Sequence, residues 1–248
     1  ELAGFLNNRI FPYKSADAIV GQSTRLVPTT WSYWPNGKPG PDIEYGDNPV
    51  VTSTFQGGKD DQKTYRLLST FNANVTVPFI KGLSFNGSYS YDLTNFYRKR
   101  FFKPWILYYP DKKNAKIDPA TGYVTEYPLI PTVRGLSSPE NHEDYNRTIN
   151  QTLMISANYI KKLGDHNFAL MGGYEQYQSD YNDFYAFRKY YISDVIQTMN
   201  AGNSKDQNIS GTATIYARKS WIGRANYDYQ GKYLAEFVFR ADGSLKFP

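Results

Sequence analysis

The side chains best equipped to meet a ligand are five aromatics in loop-like stretches, Trp31, Trp34, Trp105, Tyr108 and Tyr109. A flat ring with a polar edge stacks on the apolar face of a sugar while its N–H or O–H reaches a hydroxyl. Rings of this kind also hold long loops together, and the residues alone leave both roles open. Nothing else reads as a reaction centre. The histidines, His142 and His166, have no metal-ligand spacing, and the chain contains no cysteine, so thiolate, disulfide and cysteine-nucleophile chemistry is excluded. Both histidines read as ordinary loop and turn residues. Asp92, Asp228, Glu236 and Asp242 fit strand positions facing water better than a glycosidase pair, and Gly172-Gly173 and Gly243 form no phosphate loop. Neither an enzyme, a metal nor a cofactor is expected.

The elements that would position these aromatics are hairpins, and the clearest runs from Ala217 to Ser244. Around the polar turn Tyr229-Gln230-Gly231-Lys232, residues alternate with a period of two. Trp221, Gly223, Ala225, Tyr227 and Tyr229 share one face with Tyr233, Ala235, Phe237, Phe239 and Ala241. Arg224, Asn226, Asp228, Glu236 and Arg240 take the other. Each arm has roughly the ten residues with which a tilted strand crosses a bilayer, and tyrosines crowd the turn as an interfacial girdle would.

The same alternation predicts two further hairpins, at 64–94 and 148–177, beside the third at 214–242. In the first, Leu83, Phe85, Gly87, Tyr89, Tyr91 and Leu93 oppose Ser84, Asn86, Ser88, Ser90, Asp92 and Thr94 after a turn at 78–82. In the second, Ile149, Leu153, Ile155, Ala157 and Tyr159 pair across a turn at 161–165 with Phe168, Leu170, Gly172 and Tyr174. Residues 1–63, 95–147 and 178–213 read mainly as long loops. The first carries a helical turn at 15–20 capped by Ser15, and the stretch 27–58 is dense in Pro, Gly, Asn and Asp. The second has a turn at 118–122. The third places Ile192, Val195, Ile196 and Met199 at helical spacing after Ser193, which predicts a short helix on its own loop.

All short turns therefore lie at one end and all long loops at the other, the asymmetry of an outer-membrane barrel with extracellular loops. Charged residues within the strands keep to the polar parity. Lys219 is the exception, at the loop end of its strand. Mean hydropathy is −0.60, and no apolar run is long enough for a membrane helix, but strands whose second face is polar dilute the average. The 23 tyrosines in an aromatic content of 17% suit such a belt. A net charge of +5 spread over the whole chain argues against nucleic acid. The expectation is an all-β, antiparallel transmembrane β-barrel segment of about six strands. The alternatives are a soluble or surface carbohydrate-binding β protein, and a passive porin. No signal peptide is visible at Glu1, as though the chain were cut from something longer.

The stretch ARKSWIGRANYDYQGKYLAEFVFRADGSLKF, from Ala217, resembles a barrel hairpin of the SusC/RagA family of TonB-dependent outer-membrane transporters of the Bacteroidetes. VTVPFIKGLSFNGSYSYD at 75–92 is similar to an earlier hairpin of that family. So are His166-Asn167-Phe168 leading into a Gly-Tyr-Glu strand, and Pro35-Asn36-Gly37 followed by Asn48-Pro49. The resemblance implies a 22-stranded barrel with an N-terminal plug. It also implies energy from the TonB complex, a SusD-like surface lipoprotein, and import of oligosaccharides or peptides across the bacterial outer membrane. The plug and TonB-contacting region are absent from this chain, so it reads as part of one barrel domain and in isolation should transport nothing.

Overall fold

The computed structural model describes residues 1–13, 15–26, 31–41 and 48–246. Parts of the 27–58 loop, at 27–30 and 42–47, and Phe247 of the family-like hairpin lie outside them. In chain order the elements are β1 (Leu2–Pro12), α1 (Ala16–Ser23), α2 (Pro49–Thr52), β2 (Gly58–Thr76), β3 (Leu83–Phe102), β4 (Trp105–Pro110), β5 (Lys116–Ile117), β6 (Val124–Glu126), β7 (Leu129–Arg134), β8 (Glu140–Leu163), β9 (His166–Lys189), β10 (Gln207–Tyr229) and β11 (Tyr233–Ser244). A seven-stranded antiparallel sheet in the order β1-β2-β3-β8-β9-β10-β11 forms the body, and β4-β7 and β5-β6 are small hairpins between β3 and β8.

The expected parities hold in the register. Phe85 pairs with both Val75 and Ala157, Ala157 with Gly172, Gly172 with Gly223, and Gly223 with Phe239, so one row of apolar or small residues crosses six strands. Two rows further on the same face run Phe71, Tyr89, Leu153 and Gln176, and side chains such as Phe71 (66%) and Phe237 (67%) stand uncovered. Polar residues interrupt this face with their hydrogen bonds satisfied. Ser69 Oγ donates to the Tyr91 carbonyl at 2.7 Å, and Tyr89 Oη donates to Gln151 Oε1 at 2.9 Å. That satisfaction is what an apolar solvent demands of any polar atom it surrounds. The opposite face carries Arg66, Asp92, Glu175, Arg224, Asp228, Glu236 and Arg240, as the alternation predicts.

The turns sit at one end. Tyr229 accepts from the Lys232 amide at 3.0 Å, with Gln230 and Gly231 at φ 54° and 70°, the two positive values a type I′ hairpin turn requires. At the β2–β3 turn Gly82 has φ 90°, and a Cβ there would lie 1.9 Å from the Ile160 carbonyl oxygen of β8. Its carbonyl accepts from the Ile160 amide at 2.9 Å, fastening turn to neighbouring strand. Ser15 caps α1 as expected, accepting from the Ala18 amide at 3.3 Å. Asp118 accepts from the Gly122 amide at 2.8 Å in the expected turn, which joins β5 to β6.

Three expectations are corrected. The region 1–63 contains a strand, β1, paired with β2 from Leu2↔Ser69 to Pro12↔Lys59, so the sheet has seven strands rather than six. Its sequence, LAGFLNNRIFP, puts apolar residues on both faces and so shows no period of two. The strands also overrun their expected limits: the hairpins span 58–102, 140–189 and 207–244, and β8 and β9 each have 24 residues where about ten cross a bilayer. The helix expected near 192–199 does not form. Only Met199–Ala201 makes a 3-10 turn, and Ile192 (103%), Val195 (85%) and Ile196 (59%) are exposed. So short a helix needs a partner to bury its apolar side, and Ser193 instead accepts from the Val195 amide at 3.2 Å in a local turn.

Candidate functional site

At the loop end, the five candidate aromatics divide into an inner and an outer group. Val51, Trp105 and Leu107 form a small core at 0%, 4% and 0% exposure, with Tyr13 and Tyr109 packed against it. Asn48 holds this core to the preceding loop. Its Nδ2 donates to the carbonyls of Ser32 at 2.7 Å and Gly40 at 2.8 Å, while its Oδ1 accepts from the Val50 and Val51 amides and so caps α2. Trp105 is enclosed and presents no face to solvent; its ring centroid lies 5.1 Å from that of Tyr13. Tyr109 accepts a hydrogen bond from Arg134, whose guanidinium lies 5.2 Å from the ring centroid.

The outer group is nearer solvent. Trp34 Nε1 donates to the Tyr108 carbonyl at 2.7 Å, and Trp31 stacks on Trp34 with centroids 6.4 Å apart and planes 12° from parallel. Trp31 is 58% exposed, and Lys38 Nζ lies 4.8 Å over the half-buried Tyr108 ring. The structure thus brings Trp31, Trp34 and Tyr108 together as a platform, and turns Trp105 and Tyr109 inward beneath it.

The loop-side part of the polar sheet face bears a cluster that lay hidden in the stretch read as loop. Gln62, Arg98, Asp144 and Tyr185 form one transverse row, and Asp60, Arg100, His142 and Phe187 the next. Asp60 accepts from Arg98 Nε and Nη2, the latter at 2.6 Å, and Asp144 accepts from Arg100 Nη2 at 2.7 Å. His142 bridges Tyr185 Oη at 2.8 Å and Glu140 Oε1 at 3.1 Å. It therefore belongs to β8 rather than to a loop. Burial pushes its imidazole below the usual histidine range, and Glu140 opposes that shift. His166 opens β9 at the turn, as expected, with Nδ1 2.8 Å from Tyr227 Oη.

Nearer the turns the same face becomes mostly neutral. Asn72, Asn74, Asn86, Ser88 and Ser156 line a concavity of about 310 Å³ with Glu175, which accepts from Arg218. Several acids and bases on this wall pair, among them Asp60 with Arg98, Asp144 with Arg100 and Glu175 with Arg218. Among the described residues no three of His, Cys, Asp and Glu gather as metal ligands would. Alternation could have revealed Arg98 and Arg100 as one face of a strand, but Tyr97 and Lys99 on the other face are equally polar at their tips.

No family model matches the chain. A curated protein of Formosa agariphila, "TonB-dependent receptor P3", is 27% identical over 203 residues, which are 81% of this chain and 17% of that protein. Among solved structures, that of the RagAB peptide transporter superposes with a TM-score of 0.67 at 17% identity, covering 100% of this chain and 26% of the other. The RagAB peptide importer in its 'open-open' state gives 0.64 at 16%, covering 99% and 26%. The chain therefore spans about a quarter or less of the proteins it matches. The fold is that of a segment of the RagAB transporter's β-barrel, here an open sheet, and the proteins it resembles are named for reception and transport.

Proposed function

We propose that this chain forms part of the wall and outer loops of an outer-membrane, TonB-dependent active transporter that imports oligosaccharides or peptides together with a SusD-like surface lipoprotein. The observation that carries the reading is the sheet itself. A largely apolar face about ten residues deep, an opposite face of hydrogen-bonding and ionic groups, and long loops at one end suit a wall between lipid and an aqueous path. In a soluble sandwich the apolar face would be covered, whereas here it stands open across all seven strands. A chain of one barrel domain, 1–248, fits this arrangement. In it the loops at 13–57, 103–139 and 190–206 are extracellular, and the plug and the TonB-contacting segment belong to other parts of the transporter.

Within this reading Trp31, Trp34 and Tyr108 form the stacking platform for the ligand, with Trp105 and Tyr109 holding the platform in place. Cell fractionation followed by detergent extraction tests the whole. Recovery in the outer membrane with a co-purifying lipoprotein is expected. Recovery as a detergent-independent soluble monomer would remove the barrel, the partner and the import mechanism together.

A further inference from the structure

On the loop side the apolar face is broken after Tyr65 on β2, Leu93 on β3, Ile149 on β8, Tyr174 on β9 and Trp221 on β10, and on β10 it resumes at Ala217 and Ile215. Two residues further along each strand, still on that face, stand Lys63, Asn95, Arg147, Gln176 and Lys219. These positions are not at one level of the strand register. Arg147 pairs with Asn182, while Lys219 pairs with Gln176, so the boundary climbs β9 by six residues between β10 and β8. The lower edge climbs the same way, from Tyr229↔His166 on β10 to Leu83↔Tyr159↔Leu170 on β3. Strands tilted to a membrane normal produce this drift, because a line parallel to the bilayer crosses successive strands at shifted register. Lys219 and Gln176 stand level, Arg147 and Asn95 stand level six residues further on, and Lys63 two beyond, so the five follow the loop-side edge of the band in steps.

Three of the five are cationic and none is acidic, whereas further from the band the same face carries both signs, Asp61, Glu143 and Asp180 with Lys59 and Lys99. Arg147 and Lys219 are exposed and make no ion pair among the described residues, and Lys63 has only a loose one, 3.7 Å from Asp61. Lys219 lies directly above Trp221, itself 61% exposed, and Lys63 above Tyr65 at 48%. Five arginines of the strands, Arg98, Arg100, Arg218, Arg224 and Arg240, by contrast hold carboxylates. Leaving Arg147 and Lys219 unpaired beside amides and an aromatic belt suits an anionic partner supplied by the membrane.

We propose that Lys63, Arg147 and Lys219, with Asn95 and Gln176 between them, form a headgroup-binding line for phosphorylated lipids of the outer leaflet. A basic residue near a charged membrane surface attracts it measurably, and several in line act together. Guanidinium and ammonium donors serve phosphate oxygens, while the amides meet sugar or ester oxygens between them. The line would fix the height and tilt of the wall, and with it the loops, in the bilayer.

The inference rests on the outer-membrane reading, and the test separates the two. The intact protein, extracted from the outer membrane in mild detergent, is exchanged against bisphosphorylated lipid A or its fully dephosphorylated form, and retained lipid is counted by native mass spectrometry. Wild-type protein should retain the phosphorylated lipid at least about tenfold better than the dephosphorylated one. The triple variant Lys63→Gln, Arg147→Gln, Lys219→Gln should lose that preference, and Lys81→Gln with Lys161→Gln at the turn end should keep it. Equal retention of both lipids by the wild type, or an undiminished preference in the triple variant, overturns the proposal. If the triple variant fails to assemble, the wild-type comparison and the double variant Arg147→Gln, Lys219→Gln decide it by the same criterion. A protein absent from the membrane fraction overturns the transporter reading as well.

Discussion

Trp105 and Trp31 are the same residue type in the same loop assembly, yet their surroundings assign them opposite roles. Trp105 is sealed at 4% exposure against Val51, Leu107 and Tyr13, while Trp31 leans outward on Trp34. Trp105→Ala should therefore cost about 3–5 kcal/mol of local stability through the cavity it leaves, seen as rapid proteolysis at 103–139. Trp31→Ala should leave proteolysis unchanged and weaken ligand binding; the reverse pattern would exchange the two roles. His142 makes a pH prediction. Its burial lowers the imidazole pKa in the folded chain, so as pH falls through the ordinary value near 6.5 the unfolded chain takes up the proton first. Its contribution is thus intact above that value and lost as pH falls toward the lowered folded value, with Glu140 moderating the loss and Arg100, Asp144 and Tyr185 nearby. The wild type should lose more thermal stability between about pH 7.5 and pH 5 than His142→Gln does. Parallel losses would mean that the imidazole is not the titrating group.

For a strand, the assignment of faces is testable by neighbours one residue apart. Ala157 lies mid-band between Phe85 and Gly172 on the apolar face, and Ser156 points to the opposite wall. Arginine at Ala157 should cost about 2–4 kcal/mol in a bilayer, while Ser156→Arg should assemble normally. Equal yields of folded protein from both variants would remove the lipid-facing assignment. This face was legible in the sequence because lipid and water impose a strict period of two between Leu83 and Leu93. Beyond the band both faces meet polar surroundings, and the contrast that reveals a strand disappears. That is why Tyr97, Arg98, Lys99 and Arg100 looked like loop and why the ionic cluster around His142 was missed. β1 was missed for the converse reason, apolar residues on both sides. Helical spacing at 192–199 misled because spacing reports a face, and that face found nothing to pack on. The five aromatics were found as types, but their division into a buried set and a platform depends on contacts of Trp34 with Tyr108 and Asn48 with Ser32 and Gly40, between segments far apart in sequence.

At the scale of the whole molecule, the sheet is open. β1 and β11 are its two edges, each presenting a row of backbone groups without sheet partners among the described residues. Seven strands are fewer than the eight of the smallest single-chain membrane barrels, and an apolar face bounded by open edges invites pairing with other copies. The polypeptide of residues 1–248, refolded by itself in detergent, should therefore form polydisperse assemblies whose size grows with concentration. The same segment within an intact barrel should not. Light scattering over a concentration series distinguishes these outcomes. A discrete monomer with full strand content would mean that the sheet closes on itself, and the wall geometry proposed here, with its tilted line of cations, would then have to be redrawn.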